Sequence, residues 1–238
     1  MKILQAGAAK LGLALSPRQL EQFQAYYQEL VDWNRRMNLT AITDYNEVQV
    51  KHFLDSLTVV LALKSPLSMA IRVIDVGTGA GLPGVPLKIG FPEIKLALLD
   101  STAKKADFLR HIKDTLGLDE VEIIVGRAED AAHDPAYREK FDVVLSRAVA
   151  SLPTLVELTL PFCAIGGVFI AQKKGNIDEE VGQAEHAVSI LGGRLREVKG
   201  INLSELPDDR KLVIIDKLIP TPEKYPRRPG MPNKRPMV

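Results

Sequence analysis

A strand-like run that ends in three alternate glycines constrains this chain more than any other stretch. Residues 71–76 are mostly apolar and β-branched, as in a buried parallel strand. Gly77, Gly79 and Gly81 follow, and glycine lets a backbone turn sharply and approach a ligand without a Cβ atom in the way. A short helix is predicted from about 83 to 89, and its free N–H groups would face the same ligand. The stretch therefore predicts a ligand loop, with a glycine-rich turn that binds nothing as the alternative.

The spacing of the glycines separates different kinds of nucleotide loop. A dinucleotide site has the pattern G-x-G-x-x-G, whereas here the third glycine comes one residue early and Asp75 stands before the first. This order is similar to the cofactor loop of S-adenosylmethionine-dependent methyltransferases. The phosphate-binding pattern G-x-x-x-x-G-K-[ST] is absent from the chain.

A second acid follows the glycines by about 20 residues, the spacing of the ribose-binding acid in doubly wound folds. Asp100 ends the apolar run 95–99, and its carboxylate is predicted to accept hydrogen bonds from the ribose hydroxyls of a nucleoside. The alternative is a capping role for the helix that starts near Thr102, although Ser101 or Thr102 could provide that cap.

Composition predicts a soluble globular protein of one domain with an extension. The chain has 238 residues, 46% hydrophobic residues and a formal net charge of +1, so nucleic-acid binding would need a local basic patch. Its single cysteine, Cys163, excludes an internal disulfide and a cysteine-ligated metal site; it is expected in the core, and no metal is expected. The chain has no run of 18 apolar residues and no signal-peptide pattern, so we expect a cytoplasmic protein without membrane contact. We also expect a monomer.

Residues 1–69 are predicted to form a helical cap. Ser16 is a good N-cap, Pro17 suits the first helical position and Gln19 completes a capping box. A stripe at helical spacing should then pack on a neighbouring helix or on the main domain. Its members are Leu20, Phe23, Tyr27, Leu30 and Val31. A further helix is predicted from about 45 to 63, and within it His52 is expected to be a satisfied surface or interface residue.

Apolar and helical runs alternate from about residue 70 to 219, which predicts βαβ units around a parallel sheet. Seven strands are predicted, at 71–76, 95–99, 121–125, 141–146, 167–172, 194–199 and 211–218. Helices are predicted between them at 102–116, 152–162 and 178–191. A loop separates the last two strands, so these two are predicted to be antiparallel.

Ligands of open parallel sheets bind beyond the carboxyl ends of the strands. The side chains predicted to meet there, besides the glycine loop, are Asp75, Asp100, Ala128, Glu129, Ser146 and Arg147. Two of them have structural alternatives. Glu129 could be an ordinary acid in the first turn of a helix, and Arg147 could pair with Asp75 or Asp100.

The last segment, residues 220–238, contains six prolines, five basic residues and one acid. This composition is predicted to exclude a helix or a central strand, which leaves a mobile tail or an extended strap over the domain. Its cations suit phosphate contacts, with solvated charge as the alternative. The predicted RNA-binding set adds basic residues around the ligand site and consists of Arg35, Arg36, Lys51, Lys173, Lys174, Arg227, Arg228, Lys234 and Arg235.

Six motifs of the chain resemble those of the bacterial 16S ribosomal RNA small-subunit methyltransferase G family, also called glucose-inhibited division protein B. They are NRRMNLTAIT at 34–43, HFLDSL at 52–57, DVGTGAGLPG at 75–84, GRAE at 126–129, SRAVA at 146–150 and KYPRRPGMPNKRP at 224–236. The glycine loop alone indicates only a methyltransferase, whereas the terminal segments and SRAVA are specific to the family. The resemblance covers nearly the whole chain, and Leu82 stands where the family often has Phe.

The resemblance implies an α/β fold, the Rossmann-like seven-stranded class I methyltransferase fold with an N-terminal helical extension. It implies methylation of N7 of one guanine in 16S ribosomal RNA with S-adenosyl-L-methionine as the methyl donor. The cofactor-site positions that it implies are Gly77, Leu82, Ala128, Glu129 and Arg147, with Asp100 and Ser101 at the ribose end. Together with Asp75, Gly79 and Gly81 of the loop, these ten positions form the predicted cofactor site.

The chemistry implied by the resemblance needs few catalytic groups. Guanine N7 has a lone pair and no proton at neutral pH, so methyl transfer requires close approach and orientation rather than a base. The chain lacks the Asn/Asp-Pro-Pro-aromatic run that enzymes of exocyclic amines carry after the fourth strand, and Cys163 lies elsewhere. Arg147 is predicted to position the guanine or the cofactor.

Three other functions compete with this one. A methyltransferase of small molecules or proteins is disfavoured by the basic terminus and the long cap. A non-catalytic RNA-binding protein is disfavoured by the intact glycine loop with Asp100. A nicotinamide oxidoreductase is disfavoured by the glycine spacing.

Overall fold

The computed structural model describes residues 1–63 and 71–238 of the chain. The helical cap consists of α1 (Lys2–Lys10), α2 (Pro17–Met37), α3 (Tyr45–Val48), a π-helical turn (Gln49–Leu54), α4 (Asp55–Leu57) and a 3-10 turn (Thr58–Ala62). The predicted boundary at 69/70 lies outside the described residues, so the division into parts 1–69, 70–219 and 220–238 stays a prediction. Within the two described ranges, no helix is long and apolar enough to cross a membrane.

Helix α2 begins as its sequence predicts. The Gln19 N–H donates to the Ser16 hydroxyl at 3.3 Å, and the Ser16 N–H donates to the Gln19 side chain at 2.8 Å, which completes the capping box. The helix ends at Met37, because Asn38 adopts a left-handed conformation with φ 50°.

The buried face of α2 contains two of the five predicted residues and one that was not predicted. Phe23 and Leu30 are buried as predicted, and Tyr26 is buried with them. The other predicted members are only half-buried, namely Leu20, Tyr27 and Val31. Tyr26 follows Phe23 by three positions and precedes Leu30 by four, so the three side chains lie on one helix face.

The helix predicted from 45 to 63 is helical as far as Ala62 but changes type along its length. The π-helical turn widens it from Gln49 to Leu54, and the last five residues tighten into the 3-10 turn. π-Helical turns occur frequently at functional sites, and this one contains His52.

The sheet confirms the seven predicted strands and the antiparallel last pair. The strands are β1 (Arg72–Val76), β2 (Lys95–Asp100), β3 (Val121–Val125), β4 (Phe141–Arg147), β5 (Cys163–Lys174), β6 (Gly193–Leu203) and β7 (Leu206–Lys217). Their spatial order is β3-β2-β1-β4-β5-β7-β6, with β7 antiparallel to both of its neighbours. The winding reverses between β1 and β4, which is where open α/β sheets form a ligand crevice.

Helices cover both faces of this sheet. They are α5 (Gly84–Gly90), α6 (Ala103–Leu116), α7 (Ala128–Ala131), α8 (Leu152–Thr159) with a 3-10 turn (Leu160–Phe162), and α9 (Asp178–Ile190). The sequence predicted all of them except α7, whose four residues are too short to show a helical period.

The helical cap shares its core with one face of the sheet. The ring of Phe53 lies 5.1 Å from those of Phe23 and Tyr26, and Trp33 packs 5.6 Å from Phe108 of α6. The opposite face buries side chains of α8 and α9 together with Cys163, as predicted for that cysteine. The cap is therefore fixed to the sheet by continuous apolar packing.

The C-terminal strap, residues 220–238, lies against the domain and contains a helix, α10 (Met231–Lys234). The prediction that this segment cannot form a helix is wrong at these four residues. Pro232 lies in the first turn, where a missing N–H costs no intrahelical hydrogen bond. Hydrogen bonds to the domain fix the segment along its length, so the extended strap is the correct alternative.

Candidate functional site

The glycine loop between β1 and α5 is held by the end of β2. The N–H groups of Gly77 and Thr78 donate to the carbonyl of Leu99 at 2.9 and 3.1 Å. The N–H of Gly79 donates to Oδ2 of Asp100 at 3.0 Å. These three loop amides therefore already have acceptors on the neighbouring strand.

Asp75 lies fully buried behind the loop. Its Oδ2 accepts the hydroxyl of Thr78 at 2.7 Å and the N–H of Gly84 at 2.8 Å, and its Oδ1 has no partner among the described residues. Burial raises the pKa of this carboxyl to about 6, against the lowering effect of those two hydrogen bonds. The first amide of α5, predicted to face the ligand, faces Asp75 instead.

All three glycines of the loop have a positive φ, which other residues adopt rarely, and two of them differ in their surroundings. Gly77 has φ 72°, and a Cβ atom there would lie 2.6 Å from Cγ2 of Val149. Gly79 has φ 61°, and a Cβ atom there would meet nothing within 4 Å. Gly77 is needed for close packing, whereas the space in front of Gly79 is open.

A cavity of about 220 Å³, the β2–β3 cavity, lies at the carboxyl ends of β2 and β3. Its lining consists of Val76, Gly77, Leu99, Asp100, Ser101, Gly126, Arg127, Ala128, Glu129, Val149, Leu158 and Asn233. Asp100 accepts the N–H of Thr102 at 2.9 Å besides the loop amide, and Lys105 lies 3.6 Å away. Asp100 thus orders the entry to α6 and the loop while lining the cavity.

Glu129 is buried in the first turn of α7, so the alternative interpretation describes its position correctly. Its Oε1 accepts the N–H of Gly230 at 2.8 Å and Nη2 of Arg127 at 3.1 Å. Burial favours a higher pKa for this carboxyl, but these bonds and its own backbone N–H outweigh burial and lower the pKa below its ordinary value. Glu129 is therefore an ionised group that connects the cavity to the C-terminal strap.

A second cavity of about 380 Å³, the β4–cap cavity, shares Gly77 with the first. Its lining consists of Leu39, Thr40, Ile42, Lys51, His52, Gly77, Thr78, Gly79, Ala80, Leu82, Lys105, Arg147, Ala148 and Arg210. The two cavities therefore form adjoining compartments on either side of the glycine loop, and the second one is rich in cations.

Arg147 pairs with Asp55 of the helical cap, so the predicted alternative partners Asp75 and Asp100 are wrong. Its Nη1 lies 3.1 Å from Oδ2 of Asp55, and Arg210 lies 3.4 Å from the same oxygen. Gln172 of β5, which pairs with Arg147 in the sheet, donates to the Asp55 carbonyl at 2.6 Å and so holds this part of the cap beside β4. Burial raises the pKa of Asp55, while the two guanidinium groups act to lower it.

His52 is a satisfied residue between the cap and the cavity, as predicted. Its Nδ1 lies 3.1 Å from the carbonyl of Lys51 and therefore carries the hydrogen, so Nε2 accepts the hydroxyl of Thr40 at 2.7 Å. Burial and then Arg147 lower the pKa of His52 to about 4. The ring is neutral at pH 7 and orders the loop that carries Thr40.

The structure brings most of the predicted site residues together. Eight of the ten predicted cofactor positions line the two cavities, and Asp75 and Gly81 do not. The residues that the sequence did not reveal are Thr40, His52, Asp55, Arg210 and Asn233. The motif HFLDSL contains two of these residues, His52 and Asp55, but nothing in it indicates their partners. In the part of the chain that the structure describes, no three His, Cys, Asp or Glu side chains group as metal ligands.

The nine predicted RNA-binding cations have different surroundings. Arg35 and Arg36 are exposed beside Asp32, and Lys51 pairs with Glu47 at the cavity edge. Lys173 is largely buried against Glu180, and Lys174 pairs with Asp208. Arg228, Lys234 and Arg235 are exposed, whereas Arg227 is bound to the buried Glu157.

Comparison with known proteins decides the family. The family model described as rRNA small subunit methyltransferase G matches residues 19–213. The chain belongs to this family. A relative named ribosomal RNA small subunit methyltransferase G, from Dehalococcoides mccartyi, is 55% identical over 238 residues and 100% of both chains. One of the same name from Alkaliphilus metalliredigens is 46% identical over 237 residues, 99% of this chain and 98% of that one.

Solved structures show the same fold as that of class I S-adenosylmethionine-dependent methyltransferases. An O-methyltransferase from Bacillus cereus in complex with SAH has a TM-score of 0.56 at 19% identity, over 81% of this chain and 91% of that chain. A SAM-dependent O-methyltransferase from Thermotoga maritima has a TM-score of 0.53 at 16% identity, over 81% of this chain and 72% of that chain. The predicted fold class is confirmed.

Proposed function

We propose that this protein transfers the methyl group of S-adenosyl-L-methionine to N7 of one guanine in 16S ribosomal RNA, as a cytoplasmic monomer. Membership of the family supports ribosomal RNA as the substrate. The choice of cofactor rests on the glycine loop, whose amides at 77, 78 and 79 are bonded to the end of β2, the last of them to the Asp100 carboxylate. A loop with occupied amides and an adjacent anion repels phosphate groups, whereas a dinucleotide loop presents free amides to them.

The linings of the two cavities offer suitable groups to each part of such a cofactor. Asp100 and Ser101 would hold the ribose in the β2–β3 cavity, whose apolar side chains suit a purine ring. The open space in front of Gly79 would hold the amino-acid end, next to the β4–cap cavity. When bound, S-adenosylmethionine supplies a methyl group on a positively charged sulfur.

The chain contributes orientation to this reaction, because guanine N7 has no proton to remove. Arg147 is held by Asp55 at the cavity mouth and is well placed to donate hydrogen bonds to the guanine or to the cofactor carboxylate. His52 stays neutral and orders Thr40 beside it. Holding both reactants in one geometry is the main contribution required for such a transfer.

Labelled S-adenosylmethionine incubated with small ribosomal subunits and with free 16S RNA tests the proposal. We expect label in a single guanine, released as 7-methylguanine, and a reduction of at least about a hundredfold in Arg147→Ala. Arg110→Ala, an exposed change on α6 away from both cavities, is the matched control. Label in another atom or in several bases would overturn the assignment to N7, and near-normal activity of Arg147→Ala would remove Arg147 from the mechanism.

A further inference from the structure

Several contacts bind the C-terminal strap to the part of the domain between β3 and β5. Arg138 donates to the carbonyls of Thr221 and Tyr225 at 2.9 Å each, and His133 contacts the carbonyl of Pro226 at 2.8 Å. These partners lie in the connection between β3 and β4, which begins with the cavity-lining residues Gly126 to Glu129.

Helix α10, near the end of the strap, is fixed by three contacts. The Gly230 N–H donates to Glu129 at 2.8 Å, and the Thr154 hydroxyl donates to the carbonyl of Pro232 at 3.1 Å. Nη2 of Arg227 donates to the carbonyl of Arg235 at 2.7 Å. The four residues of α10 therefore have a defined position although the segment is short and rich in proline.

Asn233 of α10 lines the β2–β3 cavity together with Asp100, Ala128 and Glu129. Its side chain is exposed, and its amide has no hydrogen-bond partner among the described residues. The rest of the lining combines apolar residues with the polar side chains of Asp100, Ser101, Arg127 and Glu129. Asn233 adds a paired donor and acceptor to that wall.

We propose that the C-terminal strap forms one wall of the cofactor site and that Asn233 recognises the adenine edge of the bound nucleoside. This inference rests on the proposed function, since the ligand is the adenosine of S-adenosylmethionine. An asparagine amide can donate to one ring nitrogen and accept from the N6 amino group of adenine at the same time, which selects adenine from other bases. Glu129 then acts as a positioning residue, because it holds the strap through Gly230.

Calorimetric titration with two ligands tests this role. S-adenosylhomocysteine carries the N6 amino group, and S-inosylhomocysteine carries a carbonyl oxygen in its place. We expect the unchanged protein to prefer the adenosyl ligand by about tenfold or more, as for one paired amide contact. Asn233→Ala should lose about tenfold in affinity for the adenosyl ligand only, so that the preference nearly disappears.

Pro236→Ala is the matched control, because Pro236 lies two residues beyond α10, is exposed and does not line the cavity. It should bind both ligands as the unchanged protein does. Equal affinities in Asn233→Ala and the unchanged protein would overturn the role of Asn233 and leave the proposed function intact. Absence of S-adenosylhomocysteine binding to the unchanged protein would overturn both. Asn233 is exposed, so its replacement should not alter the midpoint of urea unfolding.

Discussion

Arg227 covers the carboxylate of Glu157, which is fully buried in α8. Nη2 of the arginine lies 2.6 Å from Oε2, its Nε lies 2.9 Å from Oε1, and its backbone N–H donates to Oε1 at 2.8 Å. Arg228, the next residue, is exposed. Two adjacent arginines of the predicted RNA-binding set therefore have different surroundings, and this difference separates stability from RNA binding by experiment.

Replacing Arg227 should destabilise the fold. In Arg227→Ala the buried Glu157 carboxylate loses its guanidinium partner and keeps only the backbone N–H of residue 227, and breaking a buried ion pair in this way costs about 3–5 kcal/mol. Arg228→Ala, the matched control, should change the free energy of unfolding by less than about 0.5 kcal/mol. Urea unfolding at pH 7 measures both. Equal stability of the two variants would show that the ion pair does not hold the strap.

Reversing exposed charges of the strap should weaken RNA binding without loss of fold. Removing one cation from a phosphate group should lower the affinity for RNA and reduce the slope of log K against log salt by about 1. Arg228→Glu is the test, and Lys95→Glu is the control, because it makes the same charge change at the opposite edge of the sheet, where β2 begins. Filter binding to 16S RNA at several salt concentrations gives the slopes. An unchanged slope in Arg228→Glu would show that this face does not bind RNA.

The site residues that could be predicted from the sequence are those that directly follow a recognisable strand. The carboxyl ends of parallel strands share one edge of a sheet, so the loop at Gly77, Asp100 and Ala128 had to meet once the strands were recognised. The partner of Arg147 lies 92 positions away in the cap, and Gly230, which donates to Glu129, lies 101 positions away in the strap. No local period encodes such pairs, because they depend on how separate elements pack.

Asp75 shows a different limit of sequence-based prediction. An acid before a glycine loop suggests a ligand contact, yet its orientation depends on which amides lie nearest in the folded loop. Here Thr78 and Gly84 bind the carboxylate from behind, and the side chain faces away from both cavities. The acid at position 75 therefore indicated a functional loop, but the sequence did not indicate which way its carboxylate points.

His52 should make stability depend on pH in the acidic range. Its pKa is about 4 in the folded protein and about 6.5 in an unfolded chain, so only the unfolded chain takes up a proton between these values. Stability from this group is complete above pH 6.5 and is lost as pH falls towards 4, by about 2–3 kcal/mol.

His52→Gln, which keeps a donor and an acceptor but does not titrate, isolates this effect. The unchanged protein should lose stability relative to this variant as pH falls from 7 to 4.5. Urea unfolding at each pH measures the difference. Thr43→Ser, a conservative change in the adjoining loop, is the control and should show no pH-dependent difference. A constant difference between the unchanged protein and His52→Gln would mean that His52 takes up its proton at the same pH in the folded protein as in the unfolded chain.

Asp75 should make stability depend on pH in the opposite direction. Its pKa is about 6 in the folded protein against an ordinary value of 3.8, so the fold keeps a proton that the unfolded chain releases. This difference lowers stability as pH rises from about 4 to 6, by about 2–3 kcal/mol in total, and has no further effect above pH 6. The cause is burial of a carboxylate that has one oxygen without a hydrogen-bond partner among the described residues.

Asp75→Asn tests this with little change of shape, because the amide oxygen can accept both bonds that Oδ2 now accepts from Thr78 and Gly84. The variant should gain stability relative to the unchanged protein as pH rises from 4 to 6, since it has no carboxylate to ionise in the buried site. Urea unfolding at intervals of half a pH unit measures the difference, and His52 contributes equally to both proteins. Parallel stability curves would show that the Asp75 carboxyl has the same pKa in the folded protein as in the unfolded chain.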